Sequence, residues 1–136
     1  MTSTTLAQSY LLKAGKRLRV LELLLQEDAY SDVVREAQEL VELALKGMLR
    51  QVGIDPPKWH DVGPLLLEHA DRFPDTVRER FERLAEISRW LRREREFAFY
   101  GDVDFIPTEE YHRGDAERAL ADARFALEAA TVVIGR

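Results

Sequence analysis

The residues best suited to chemistry lie between positions 89 and 102, where arginines alternate with aromatic and acidic residues. Segment 89–95 reads RWLRRER and is the most basic stretch of the chain. Tyr100 follows Arg95 by five positions, and Asp102 comes two positions later. Guanidinium groups bind phosphate through paired hydrogen bonds, and aromatic rings stack on nucleobases. The combination therefore indicates a site for an anionic ligand that carries a base.

The same arginines also have a structural interpretation. For Arg92 and Arg93 we prefer a solvated helix face with ion pairs between residues four positions apart, because such pairs are common on helices. Arg95 differs because it falls on the apolar seam of its helix. An inward guanidinium needs either partners or a water-lined cleft. Arg95 is therefore the strongest candidate for binding.

His60 and Lys46 are weaker candidates. The His60-Asp61 pair lies in a proline-rich loop, where an imidazole could transfer a proton or bind phosphate. We prefer the interpretation that this pair caps the next helix. Lys46 follows Glu42 by four positions, which predicts a helical ion pair, with contact to an anionic ligand as the alternative.

Several classes of chemistry are excluded by composition and spacing. The chain has no cysteine, so disulfides and thiolate chemistry are excluded. The three histidines lack the spacing of a metal site, and the sequence has neither a phosphate-binding glycine loop nor a serine nucleophile motif. We therefore expect neither a metal nor a cofactor. The net charge of −5 argues against broad, sequence-independent binding to nucleic acid, but it allows a local basic patch.

Helical periodicity runs through the whole chain. Stretch 32–52 is the element around which the other helices are arranged, with apolar residues at steps of three and four. Three more long helices are predicted, from position 4 or 5 to about 28, from 75 or 76 to about 100, and from 114 or 115 to 134. A short helix is predicted from 65 to about 72. The sequence thus predicts one domain, residues 1–136, with an all-α fold: an up-and-down bundle of four long helices and one short helix.

The composition also bears on the cell compartment and on growth temperature. The apolar runs are too short to cross a membrane, and MTSTTLAQSY lacks the layout of a secretory signal, so we expect a soluble cytoplasmic protein. Sixteen arginines stand against four lysines, and asparagine is absent. This composition is typical of heat-adapted proteins, although a bias towards arginine also follows from genome composition.

Two blocks of the sequence resemble the HEPN domain family (higher eukaryotes and prokaryotes nucleotide-binding domain). Residues 37–66 contain an alanine-rich helix with a Glu-x-x-x-Lys step, a glycine, a proline-containing loop, a His-Asp pair and a leucine-rich turn. These landmarks are Glu42, Lys46, Gly53, Pro56, His60, Asp61 and Leu65 to Leu67. Residues 95–111 read REFAFYGDVDFIPTEEY, in which an arginine precedes Tyr-Gly-Asp, a proline and a tyrosine. The resemblance covers nearly the whole chain.

The resemblance implies a helical bundle that dimerises through its helices and forms a cleft between subunits. Many HEPN proteins act with a small nucleotidyltransferase encoded nearby, often as a toxin–antitoxin pair, and others are ribonucleases. For this chain it implies a homodimer that binds a nucleotide or RNA and acts with a minimal nucleotidyltransferase partner. The binding residues would be Arg95, Tyr100, Asp102, Lys46 and His60.

Two alternatives to this function are open. The ribonuclease members of the family carry an arginine followed four to six residues later by a histidine, whereas Tyr100 occupies that position after Arg95 here. A tyrosine is a poor general base near neutral pH, so the first alternative is a metal-independent endoribonuclease with a degenerate Arg-x4-Tyr site. The second is a dimerisation adaptor without a ligand, in which Arg95 forms a buried structural ion pair.

Overall fold

The computed structural model describes residues 3–58 and 61–135, and its four long helices form an antiparallel bundle. These helices are α1 (Ser3–Gln26), α2 (Tyr30–Gln51), α5 (Phe81–Phe99) and α7 (Arg113–Ile134). Short helices connect them, namely α3 (Gly63–Glu68), α4 (Asp75–Arg78) and α6 (Pro107–Glu110). No β-strand occurs in the described residues, where a single isolated bridge joins Asp102 to Phe105. The prediction of an all-α up-and-down bundle is therefore confirmed.

Two helix boundaries differ from the prediction. The helix expected from 75 or 76 to about 100 is divided into α4 and α5, because the Arg80 N–H donates to the Val77 carbonyl at 3.0 Å, three residues back. The short helix expected to reach about 72 ends at Glu68, and a 3₁₀ turn follows at Ala70–Arg72. At both places the backbone hydrogen bond joins residues three positions apart instead of four. Apolar spacing alone does not separate these two helical forms.

Helix α2 is the centre of the bundle and packs against each of the other long helices. Its predicted apolar seam is buried throughout, at Val34, Ala37, Val41, Ala44 and Met48. Contacts between α2 and α5 show that the two helices are antiparallel. Glu42 lies opposite Arg92, while Arg35, earlier on α2, lies opposite Phe99, later on α5. This register determines which polar side chains meet at the surface of the bundle.

Helix α7 packs closely on α2 because both helices present small residues. The alanines of α7 at positions 116, 119, 123, 126, 129 and 130 are fully buried. On α2, a Cβ added to Gly47 would lie 3.0 Å from Cδ1 of Ile134, so even an alanine there would require the Ile134 side chain to shift. Among the described residues no helix is both long enough and apolar enough to cross a membrane.

Candidate functional site

A cleft of about 480 Å³ opens between α2 and the C-terminal end of α5. We call it the arginine cleft, and it is lined by Arg35, Arg92, Arg95, Glu96, Phe99 and Tyr100. Arg35 comes from α2, and the other residues come from α5 and the residue that follows it. The α5 residues at 92, 95, 96 and 99 share one helix face because they are three or four positions apart.

Glu39 on α2 holds two of the cleft arginines. Its Oε2 lies 3.2 Å from Nη1 of Arg35 and 3.9 Å from Nη2 of Arg95. Nη1 of Arg35 is shielded from solvent and makes no hydrogen bond to the described residues, so its contact with Glu39 is a charge interaction. The guanidinium carbon of Arg35 also lies 5.2 Å from the centroid of the Phe99 ring, which fixes the α2 wall of the cleft against α5.

Glu42, one helical turn further along α2, links three more polar side chains. Its Oε1 is 3.0 Å from Nη1 of Arg92 and accepts a hydrogen bond from Nε2 of Gln38 at 2.8 Å. Its Oε2 is 3.2 Å from Nζ of Lys46, which is the helical ion pair predicted from the sequence. Arg92 therefore forms an ion pair across two helices, and the interpretation of Arg92 as part of a purely solvated face is wrong.

The cleft has a small excess of positive charge. Three arginines line it, and they share the carboxylates of Glu39 and Glu42 with Lys46. Glu96 adds one carboxylate to the wall. The four cations thus outnumber the three carboxylates by one. A partly shielded group of guanidiniums with this balance attracts a phosphate more strongly than an exposed patch of the same charge does, because the surrounding protein lowers the dielectric screening.

Arg95 does not point into the core, so the prediction that it faces inward is wrong. Its side chain is 49% exposed, although Leu91 and Ala98 on the same helix seam are buried. The long side chain leaves the seam and carries its charge out to the cleft, as arginines on apolar helix faces commonly do. The buried ion pair expected for a ligand-free adaptor is therefore not what Arg95 forms.

Two exposed aromatic rings form the open end of the cleft. Phe99 is 49% exposed and Tyr100 is 76% exposed, and their ring centroids lie 4.6 Å apart at 73°. Gly101 ends the helix there with a φ of +67°, and a Cβ at this position would lie 2.3 Å from the Phe105 carbonyl oxygen. The turn therefore requires glycine, and it holds Tyr100 beside the arginines.

Tyr111 fixes the loop that follows this turn. Its ring is buried and packs edge-on against Phe105, with centroids 5.7 Å apart. Its hydroxyl donates a hydrogen bond to Oε1 of Glu94 at 2.7 Å. Burial, the hydrogen bond to Glu94 and the charges of Glu94 and Asp115 raise the pKa of Tyr111. The loop is thus attached to α5 within one turn of the cleft arginines.

Two of the five predicted site residues, Arg95 and Tyr100, line the cleft together. Lys46 does not line the cleft. It is linked to the cleft only through the carboxylate of Glu42, which also pairs with Arg92. Asp102 is exposed on the loop, where its Oδ1 accepts a hydrogen bond from the Val103 N–H at 2.7 Å. Asp102 therefore stabilises its own turn rather than facing the arginines.

His60 lies outside the described residues. The N-cap residue of α3 is Val62, without a side-chain capping hydrogen bond, so Asp61 is not the helix cap that we preferred for the pair, and it fixes the loop instead. Oδ1 of Asp61 accepts hydrogen bonds from the Gly63 N–H at the start of α3, at 3.2 Å, and from the Ser88 hydroxyl on α5, at 2.5 Å. Asp61 thus secures the loop before α3 to the bundle.

Four residues that line the cleft, Arg35, Arg92, Glu96 and Phe99, were not among the predicted site residues, and neither was Glu39, which pairs with two of the arginines. Arg35 and Arg95 are sixty positions apart, and only the antiparallel packing of α2 on α5 brings their charges to one carboxylate. The available signal was the Arg35–Glu39 spacing on the polar side of α2, which is equally typical of any exposed helix. In the described part of the chain, no group of three or more acidic or histidine side chains is placed to hold a metal ion.

Comparison with known proteins gives one family. The model of the HEPN domain matches residues 7–133, which is nearly the whole chain. The matched region includes every residue that lines the arginine cleft. No curated protein and no solved structure matches the chain.

Proposed function

Because the chain belongs to the HEPN domain family, we propose that it is a homodimer that binds a nucleotide or RNA and acts with a minimal nucleotidyltransferase partner as a toxin–antitoxin-like pair. Membership of the family makes it a helical protein related to nucleotides and RNA. One observation carries the binding proposal. Three guanidinium groups and two exposed aromatic rings line the same cleft.

The cleft has separate groups for the two parts of a nucleotide. Arg92 and Arg95 are one helical turn apart on α5, so both can donate hydrogen bonds to one phosphate. Tyr100, at the open end, offers a ring face on which a base can stack. Glu39 and Glu42 hold the guanidiniums in place before the ligand arrives, which lowers the entropy lost on binding.

The charge of the chain favours a short single-stranded ligand over a long duplex. The cleft has an excess of about one positive charge, whereas the chain as a whole carries −5. Binding along a duplex needs many phosphate contacts, and the net negative charge opposes it. A mononucleotide or a few nucleotides of RNA would place phosphate at the arginines and leave the remaining bases outside the cleft.

An exposed apolar patch at the end of α5 and in the loop that follows it supports the homodimer. The patch consists of Phe97, Val103 and Ile106, which are 49%, 86% and 44% exposed. Apolar groups this accessible on one loop and one helix end are typical of a protein interface. Light scattering after gel filtration measures the mass, and Val103→Lys should convert the dimer to a monomer.

The binding proposal is tested with three probes: ATP, GMP and a short single-stranded RNA of mixed sequence. Fluorescence polarisation and thermal shift should show binding to the wild-type protein. Arg95→Ala should weaken it about tenfold, as expected for losing one charge-assisted phosphate contact. Arg124→Ala is the matched control, because Arg124 is also 49% exposed and forms an ion pair, with Glu22 at 2.9 Å on the α1 side of the bundle.

The proposal fails if none of the three probes binds to the wild-type protein. It also fails if Arg95→Ala binds them as tightly as Arg124→Ala does. Equal losses in both variants would indicate a general charge effect rather than a cleft.

The endoribonuclease remains a second candidate because Arg95 and Tyr100 line the same cleft. In that reaction the RNA 2′-hydroxyl would give its proton to water and attack the phosphorus. The bond from phosphorus to the 5′-oxygen would break, which leaves a 2′,3′-cyclic phosphate and a free 5′-hydroxyl. Arg95 would stabilise the charge on the phosphorus oxygens, and Tyr100 would donate a proton to the leaving oxygen. Incubation with single-stranded and structured RNA in the presence of EDTA tests this candidate. Cleavage that disappears in Tyr100→Phe supports it, and no cleavage by the wild-type protein excludes it.

A further inference from the structure

A second concave surface, which we call the α1–α7 groove, lies away from the arginine cleft and encloses about 640 Å³. Its walls include Leu12, Gly15, Lys16 and Arg19 of α1, together with Leu127 and Thr131 of α7. The two helices are antiparallel here, since Arg124 of α7 also pairs with Glu22 of α1 at 2.9 Å. A groove between two antiparallel helices has the shape that receives a third helix.

The outer face of α1 beside this groove carries exposed apolar residues. Leu12 is 63% exposed, Val20 is 40% exposed and Leu23 is 57% exposed. Leu12 and Leu23 are eleven residues apart, which is close to three full helical turns, so both point the same way. Nothing in the described residues covers this face. The two exposed leucines therefore share one face of α1, and Lys16 and Arg19 lie between them on that face.

The cations on this face lack carboxylate partners. Lys13, Lys16 and Arg19 form no ion pair and no hydrogen bond with any residue that the structure describes. Most arginines of the described residues do form ion pairs, such as Arg50 and Arg124, which pair with acids at 3.0 and 2.9 Å. A row of unpaired positive charges beside exposed leucines is complementary to a surface that is apolar in the middle and acidic at its edges.

Gly15 is the second unusual feature of the groove. It lies within α1, where glycine destabilises a helix relative to alanine. A Cβ at this position would meet no atom of its surroundings in the described residues within 4 Å, so packing against them does not require glycine. Gly15 lines the groove, where the missing side chain lets another backbone approach closely.

We propose that the α1–α7 groove binds an amphipathic helix from a partner protein, with leucine-type residues at its centre and glutamate or aspartate along its edges. The apolar residues of that helix contact Leu12 and Leu23. Its carboxylates pair with Lys16 and Arg19. Its backbone passes over Gly15.

Charge argues against two other occupants. A second copy of α1 packed antiparallel about position 16 would place Lys16 against Lys16 and Lys13 against Arg19, which is repulsive. Single-stranded RNA would pair its phosphates with the positive charges. However, the groove lining has no aromatic ring on which a base could stack, and contact between its leucines and phosphate would not contribute to binding. A helix with acidic edges uses both the leucines and the cations.

The test measures binding of two synthetic helical peptides to the full chain by fluorescence anisotropy. The first has leucines at helical spacing and glutamates on both flanks, and the second has lysine in place of every glutamate. The acidic peptide should bind at least about tenfold more tightly than the basic one. Lys16→Glu should weaken the acidic peptide about tenfold and strengthen the basic peptide. Arg89→Glu, the same charge change at an exposed position of α5, should alter neither affinity.

Gly15→Ala provides a second measurement that separates binding from folding. Alanine improves helix propensity, so the Tm should rise by about 3 °C. The added methyl group narrows the groove, so the acidic peptide should bind more weakly even though the protein is more stable. A purely structural glycine would leave peptide binding unchanged.

Four outcomes would overturn the proposal. In the first, the two peptides bind with equal affinity or neither binds. In the second, Lys16→Glu leaves the acidic peptide unaffected. In the third, the wild-type chain is a dimer that Leu12→Gln dissociates, which would assign the groove to a second copy. In the fourth, single-stranded RNA displaces the peptide and loses affinity in Lys16→Glu but not in Arg95→Ala.

Discussion

The arginine cleft and the α1–α7 groove carry similar cations that are held in opposite ways. In the cleft, Arg92 and Arg95 contact carboxylates of the neighbouring helix at 3.0 and 3.9 Å. In the groove, Lys16 and Arg19 have no partner among the described residues and stand between exposed leucines. Cations that form ion pairs between two helices stabilise the fold and are already oriented for a ligand. Unpaired cations on one helix contribute little to the fold and are available to a partner.

Changes in the arginine cleft should alter the free energy of unfolding and ligand binding together, because the same contacts serve both. Changes to the groove cations should alter partner binding alone. The four predictions that follow test this separation, starting with the largest effect.

Gly101→Ala should have the largest effect on the free energy of unfolding. It should also weaken binding at the cleft and leave peptide binding at the groove unchanged. The φ of +67° and the approach of a Cβ to 2.3 Å from the Phe105 carbonyl oxygen force the turn after α5 to move. We expect a loss of about 3 kcal/mol in the free energy of unfolding and weaker RNA binding, because Tyr100 is displaced. Urea unfolding measures the stability, and fluorescence polarisation measures RNA binding. Binding of the acidic peptide is the control for the groove. Unchanged stability would show that the turn is not constrained as described.

Glu42→Gln should weaken the contact between α2 and α5. Glu42, Lys46 and Arg92 are 20%, 19% and 27% exposed, so removing the carboxylate charge leaves two partly buried cations without it. We expect a loss of about 2 kcal/mol in the free energy of unfolding, recovered in part by adding phosphate, which replaces the missing negative charge. Urea midpoints with and without phosphate measure both effects. Equal midpoints for the variant and the wild-type protein would mean that the ion pairs contribute nothing.

Tyr111→Phe should cost about 1 kcal/mol at neutral pH because the hydroxyl hydrogen bond to Glu94 is lost. The pKa of Tyr111 is raised in the folded protein, so below about pH 10 both states keep the proton and the full contribution is present. Above pH 10 the unfolded state loses the proton first, and the contribution declines. The stability difference between wild type and Tyr111→Phe should therefore shrink as pH rises from 10, as measured by urea unfolding in alkaline buffers. A difference that is independent of pH would contradict this.

Lys16→Glu should have the smallest effect on folding. Its ammonium has no partner among the described residues, so the free energy of unfolding should change by less than about 0.5 kcal/mol. RNA binding at the cleft should be unchanged, whereas peptide binding at the groove changes. A loss of stability comparable to that of Glu42→Gln would remove the distinction between the two surfaces.

Much of the fold and part of the candidate site could be predicted from the sequence. The buried positions of α2 follow from apolar residues at steps of three and four, and the Glu42–Lys46 pair follows from a spacing of four. Arg95 and Tyr100 could be assigned to one site because both lie at the end of α5. The exposure of Arg95 could not be predicted, because its position on the seam does not show where so long a side chain ends.

What the sequence by itself determined is local: the helices, the glycine turn at Gly101 and the ion pairs within α2. These depend on residues a few positions apart, whose relative placement is set by helix geometry. Only the tertiary structure decided which helix faces meet. Arg35 lies against Phe99, and Glu42 lies between Lys46 and Arg92, because α2 and α5 pack antiparallel in one register. That register depends on how side chains across the whole core fit together, and no local pattern encodes it.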